Sequence, residues 1–175
     1  CASAMTQACL DFVDGHSYWW NRLPWGEFRK QIDHRQMASY VDTILPEMNF
    51  SCQLGKPFFV SEWDIPWPND YRAEGPLFLA AVGSLQGWSG FTVHTYRYSS
   101  KKEQTIIGKE FSGSAVNNSV NREGVFATFN DPARFGLFYH AALIMRRADV
   151  KQAEQTVAIQ VKEDELNLRY EQIEA

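Results

Sequence analysis

The chain has 175 residues, 45% of them hydrophobic, and a formal net charge of −4. That length supports one sizeable core and part of a second module. No basic stripe or Lys/Arg block is present, which argues against a nucleic-acid partner, and no apolar run reaches membrane-spanning length, which argues against a membrane one.

Cys1, Cys9 and Cys52 form neither a CxxC nor a Cys/His metal spacing, so no metal is expected. Either one disulfide or three free thiols fits them, and they leave the redox compartment undecided. Aromatic residues make up 14% of the chain. Trp19, Trp20, Trp25, Trp63, Trp67 and Trp88 lie near polar and acidic residues, a pattern that suits either a well-packed core or flat surfaces on which sugar rings stack.

The chain opens with Cys1 and a helix-like stretch, Ala2 to Ala8, and stops abruptly at Ala175; a piece of a longer polypeptide is expected. Leu10 to Asp14 reads as a strand whose mouth is Gly15-His16-Ser17-Tyr18-Trp19. From Phe28 to Leu45, apolar residues recur at helical spacing, with Pro46 and Asn49 as terminators. Gly55-Lys56-Pro57 is a turn. Phe58 to Ser61 is an apolar run without alternation, as suits a parallel strand buried on both faces.

Pro66 and Pro68 make 65–70 a loop. Glu74 to Leu85 is a predicted helix presenting Leu77, Phe78, Ala81 and Leu85 on one face, with Arg72 and Glu74 as a charge arrangement at its start. Gly87 and Gly90 lead to a strand from Phe91 to Tyr96. Residues 97 to 128 read as a long polar loop with one or two short strands. Asp131 as N-cap and Pro132 at the first helical position predict a helix to about Arg147, with Phe135, Phe138, Ala142 and Met145 inward. Thr156 to Val161 is a β-rich run outside this alternation.

Three strands alternating with helices imply parallel βα units and an α/β fold. Parallel strands put their C-terminal ends on one side. His16 and Tyr18, then Glu62, Trp63 and Asp64, then His94, Tyr96 and Tyr98 would therefore gather in one place. Glu62 is the expected nucleophile or general base, because an ionised carboxylate at the mouth of an apolar strand must be desolvated or paired. Tyr18 is placed to donate to it, and His16 to bind a substrate hydroxyl. Trp88 suits either a sugar platform or packing between helix and strand. Asp64 is expected to serve structure, as an Asx turn before Pro66 or by holding Arg72.

Phe59-Val60-Ser61-Glu62-Trp63, preceded by Asp14-Gly15-His16-Ser17-Tyr18-Trp19 and followed by a strand after Gln86-Gly87-Trp88, resembles the sixth to eighth strands of clan A retaining glycoside hydrolases. These are (β/α)8 enzymes that include cellulase-like and β-galactosidase families. The resemblance spans about residues 10 to 155. It implies that residues 1–150 are the C-terminal part of a TIM barrel and that 151–175 begin a β-sandwich-like segment. A closed barrel needs eight βα units and about 250 residues, so the rest would come from elsewhere.

The resemblance also implies a retaining β-glycosidase acting on β-linked glycans, β-galactosides or β-glucosides first. Glu62 matches the nucleophile, and His16 and Tyr18 match the sixth-strand positions that contact substrate and nucleophile; Trp19, Trp63, Trp88, His94 and Tyr96 are further candidate substrate contacts from their own places at the strand ends. The clan's eighth-strand tryptophan has no counterpart at the strand end, where His94, Tyr96 and Tyr98 stand. No Asn-Glu pair occurs in the chain, so the acid/base carboxyl is expected in an upstream segment. No cofactor is implied, and an extracellular or periplasmic setting is favoured. Two other readings stay open: a non-catalytic carbohydrate-binding module with an aromatic cleft, and a half-barrel that pairs with a second copy or a complementary chain to cover its sheet edges.

Overall fold

A computed structural model describes residues 6–19, 35–40, 45–66, 69–97, 126–128 and 131–160. Its centre is a sheet of three parallel strands in chain order: β1 (Val13–Tyr18), β2 (Phe58–Asp64) and β3 (Gly90–Phe91). Between β1 and β2 lie a 3-10 turn, Met37–Ser39, and helix α1, Leu45–Ser51. Helix α2, Glu74–Gln86, links β2 to β3, and α3 (Pro132–Phe135) and α4 (Phe138–Arg147) follow. Parallel strands joined through helices make an α/β arrangement.

The helices cover one face of the sheet. In β1, Val13, Gly15 and Ser17 are buried and alternate with more exposed Asp14, His16 and Tyr18, as the two-residue strand period requires. Val13, Phe58, Val60 and Trp63 pack with Met37, Met48, Leu79 and Trp88 to form the core. Each such apolar side chain contributes roughly 1.5–3 kcal/mol when fully buried. The opposite face of β2 is only half covered at Phe59 and Glu62, so the strand is not buried on both sides among the described residues, although its apolar run suggested that it would be.

One irregularity decides which side chains face where. Gly15 stands opposite Val60, but His16 stands opposite Glu62, so Ser61 has no counterpart in the register. An extra residue reverses the strand's phase. Trp63 thereby joins Phe58 and Val60 on the helix side, and Glu62 joins Phe59 on the open side. With strict alternation Glu62 would have pointed into the core.

Helix α2 buries Gly75, Pro76, Leu79, Ala80 and Gly83; of the stripe expected from hydrophobicity, Phe78 packs against the core, Leu77 and Ala81 are half-buried, and Leu85 is exposed. Close approach explains the difference, because small residues let the helix backbone lie against two indoles. A Cβ on Gly75 would sit 2.6 Å from Trp63 Cζ3, and one on Gly83 would sit 3.0 Å from Trp88 Cε3. The helix stops at Gly87, whose φ of 71° suits a residue without a side chain. Trp88 N–H closes the cap on Gly83 C=O at 2.8 Å.

Several other expectations shift. The first strand begins three residues later than Leu10 and includes Gly15 to Tyr18, read as its mouth, with Trp19 just past its end. Pro46 opens α1 rather than ending a helix from Phe28, because its fixed φ and missing N–H suit a first turn. Gln36 and Tyr40 are extended; residues 28–34 and 41–44 lie outside the described residues. β3 has two residues by pairing, but parallel backbone bonds continue from Thr92 N–H to Val60 C=O and from His94 N–H to Trp63 C=O.

The predicted helix from Asp131 is broken at Gly136-Leu137. Phe135 and Ala142 are exposed, whereas Arg134 and Ala141 are buried. Residues 151–160 form no strand, and Val157 and Ile159 are exposed. Residues 161–175, most of the segment expected to begin a β-sandwich, lie outside the described residues. No helix among the described residues is long and apolar enough to cross a membrane. Cys9 and Cys52 are free and exposed; Cys1 lies outside the described residues.

Candidate active site

The open face of the sheet carries Asp14, His16 and Tyr18 from β1 and Glu62 from β2. Tyr18 Oη donates to Glu62 Oε2 at 2.5 Å, a charge-assisted hydrogen bond when the carboxyl is ionised. His16 Nδ1 lies 3.7 Å from the same oxygen. Glu62 and His16 side chains keep 39% and 47% of their surface open to solvent. Both contacts fall on Oε2, so Oε1 is the oxygen free to meet a reacting atom among the described residues.

Behind His16 a second set of contacts ties the two strands. Asp14 Oδ1 accepts from the Ser61 backbone N–H at 3.0 Å, and Asp14 Oδ2 accepts from Ser61 Oγ at 2.8 Å. The unmatched residue of the register is thus held by a side chain of the neighbouring strand. His16 Nε2 is 2.7 Å from Ser61 Oγ and 3.0 Å from Asp14 Oδ2. Asp14 and Ser61 were not picked out as site residues from sequence; the Asp14-His16-Tyr18 alternation was the available signal.

His94 closes the Tyr18 side. Its ring meets Tyr18 edge-on at 6.0 Å, and Phe126 packs against both, at 5.2 Å from Tyr18 and 5.6 Å from His94. Phe126 is fastened by Arg134, whose Nη2 donates to its carbonyl and to Thr128 Oγ1, both at 2.9 Å. Arg134 also forms an ion pair with Asp64, both fully buried, and its Nη1 donates to Ile65 C=O at 2.9 Å. Asp64 therefore serves Arg134, not Arg72; it also accepts from the Ile65 N–H at 2.7 Å, one residue on, which is not the expected Asx turn, since Pro66 two residues on has no N–H to give.

Burial pushes the Asp64 carboxyl well above the ordinary carboxylate range, against the pull of Arg134 and the Ile65 N–H. Arg72 instead pairs with buried Asp131 at 2.5 Å, so Asp131 gives no side-chain cap to α3. Glu74 accepts from the Ala38 N–H at 3.3 Å rather than pairing with Arg72.

The three tryptophans expected to touch substrate lie elsewhere. Trp19, Trp63 and Trp88 are 6%, 0% and 5% exposed and belong to the core. Trp19 donates to Arg35 C=O. Trp63 packs edge-on against Phe91 and tilted against Phe138. Trp88 meets Phe58 edge-on, at the end of β2 remote from Glu62. For Trp63 the register break is the cause, since it turns the indole to the helix side. Tyr96 is exposed and packs on Phe135.

The site thus brings together Glu62, Tyr18, His16 and His94, with Asp14 and Ser61 beside them. Among the described residues, no three His, Cys, Asp or Glu side chains gather as a metal site. No protein-family model matches the chain, and no curated protein or solved structure matches it either.

Proposed function

We propose that the chain carries the nucleophile side of a retaining β-glycosidase acting on β-linked glycans, with β-galactosides and β-glucosides as first substrates. The observation that carries the reading is the Tyr18–Glu62 hydrogen bond on the open face of a parallel sheet. In this mechanism Glu62 Oε1 attacks the anomeric carbon, a C–O bond forms to the enzyme, and the bond to the leaving oxygen breaks. A carboxyl from an upstream segment protonates that oxygen and then activates water. Two such groups stand about 5–5.5 Å apart in retaining enzymes. Asp14 does not suit the second role, because its carboxylate is engaged by Ser61 and His16.

A carbohydrate-binding module without catalysis is the weaker reading. It relied on an aromatic cleft, and three of the indoles meant for it are in the core. The half-open sheet face favours assembly with the remaining strands of a barrel, from an upstream segment or another chain.

Activated aryl β-glycosides test the reading, since a good leaving group needs little protonation. A burst of about one equivalent of phenol per chain, followed by slow turnover, is the expected kinetic mark of a glycosyl-enzyme. The burst should vanish in Glu62→Gln. Binding of the glycoside without any burst would favour the module.

A further inference from the structure

Asp14, Ser61 and His16 form a closed ring of contacts that calls for a hydrogen on His16 Nε2. Asp14 Oδ2 is 2.8 Å from Ser61 Oγ and 3.0 Å from His16 Nε2, and Ser61 Oγ is 2.7 Å from His16 Nε2. An ionised carboxylate has no hydrogen to give, and a serine hydroxyl has one. If Ser61 gives that hydrogen to Asp14, Nε2 must supply the hydrogen for both remaining contacts. The opposite assignment sets the Nε2 lone pair against the carboxylate.

In a neutral ring the other nitrogen, Nδ1, is then an acceptor. Nδ1 faces Glu62, and at 3.7 Å from Oε2 it makes no hydrogen bond with it. A ligand hydroxyl beside Glu62 can therefore donate to Nδ1.

We propose that Asp14 is a positioning residue with two effects: it holds the register break at Ser61 that turns Glu62 to the open face, and it sets His16 as the Nε2–H tautomer, whose Nδ1 accepts a substrate hydroxyl. The same carboxylate does both, because Oδ1 takes the Ser61 N–H that the register leaves without a strand partner. That the hydroxyl belongs to a sugar rests on the glycosidase reading; the tautomer does not.

Nitrogen-15 NMR of the histidine rings tests this on the whole chain, with His16→Gln to assign the His16 signals. In the native chain His16 should show a protonated Nε2 and a pyridine-type Nδ1. In Asp14→Asn the signals should move toward the Nδ1–H form, and trapping of Glu62 by a 2-fluoro β-glycoside should slow by about 10²-fold, as displaced reacting groups do. An Nδ1–H ring in the native chain would overturn the inference without any variant. So would a ring unchanged in a folded Asp14→Asn. If the tautomer moves as described but no 2-fluoro glycoside labels even the native chain, the role of Asp14 stands and the glycosidase reading falls.

Discussion

Tyr18 and Glu62, 44 positions apart, are joined by a 2.5 Å hydrogen bond between neighbouring parallel strands. The hydroxyl orients the carboxylate and leaves one oxygen open. Tyr18→Phe removes this bond while keeping the ring against Phe126 and His94. Hydrogen bonds to charged groups are worth about 1.5–3 kcal/mol, so glycosylation of Glu62 should slow by roughly 10- to 150-fold. Thermal stability should fall by no more than the same amount, since water reaches the half-exposed Glu62 carboxylate. Stopped-flow measurement of the aryl glycoside burst checks this, and an unchanged burst rate would remove Tyr18 from the mechanism.

Trp88 separates core from ligand platform. Its indole packs edge-on against Phe58 and is buried. Trp88→Leu should lower unfolding free energy by about 2–4 kcal/mol, within the range for large-to-small core changes. Glycoside concentration dependence should be unaltered in the folded variant. A stability close to native with a large loss of glycoside affinity would return Trp88 to the substrate.

Gly75 marks how close α2 lies to the sheet. A methyl group there would meet the Trp63 ring at 2.6 Å and Ile65 Cδ1 at 3.2 Å. Trp63 is fully buried and packs on Phe91 and Phe138, so a shift of its ring disturbs that packing. Gly75→Ala should therefore destabilise by about 1–3 kcal/mol, despite alanine's better helix propensity. Urea unfolding measures it; a gain in stability would show the packing to be looser.

The Asp64–Arg134 pair yields a pH-dependent outcome. Burial holds the Asp64 carboxyl above its unfolded value, near 3.9. Such a group binds its proton more tightly in the folded state. Its contribution to stability is intact below the unfolded pKa and is lost as pH rises through the folded one. Arg134 supplies the main opposing pull, so Arg134→Met should cost about 3–5 kcal/mol where pH is high enough to ionise Asp64, and less in acid, where Asp64 is protonated. Urea midpoints of native and variant chains in a pH series that starts near the unfolded carboxyl value, about 3.9, and rises past neutral test the sign. A gap that narrows as pH rises would contradict it.

Much of the α/β order was legible because parallel βα units leave a plain signature: an apolar run, a turn of Gly or Pro, then a helical stripe. The Tyr18–Glu62 contact followed from placing two strand mouths side by side. The register break was not legible. Ser61 is held by Asp14, 47 positions earlier, and no local pattern announces it. Because a one-residue slip exchanges the two faces of a strand, Trp63 could not be assigned to core or site from sequence. The stripe on α2 was displaced for a related reason: hydrophobicity ranks Leu77 and Leu85 above Gly75 and Gly83, but closeness to Trp63 and Trp88 favours the residues with no side chain. Pro46 carried two opposite meanings, helix end and helix start, and only the fold distinguishes them. The Arg134–Asp64 and Arg72–Asp131 pairings join residues 59 to 70 positions apart, and charge pattern alone does not choose between them.

The role proposed for Glu62 is nucleophilic attack on an anomeric carbon. Intact-mass and peptide-mapping analysis after incubation with 2-fluoro β-galactoside and β-glucoside reagents tests it most directly. One glycosyl adduct is expected, located on Glu62 and absent from Glu62→Gln. An adduct on another residue, or a folded chain that stays unlabelled by both reagents, would contradict it.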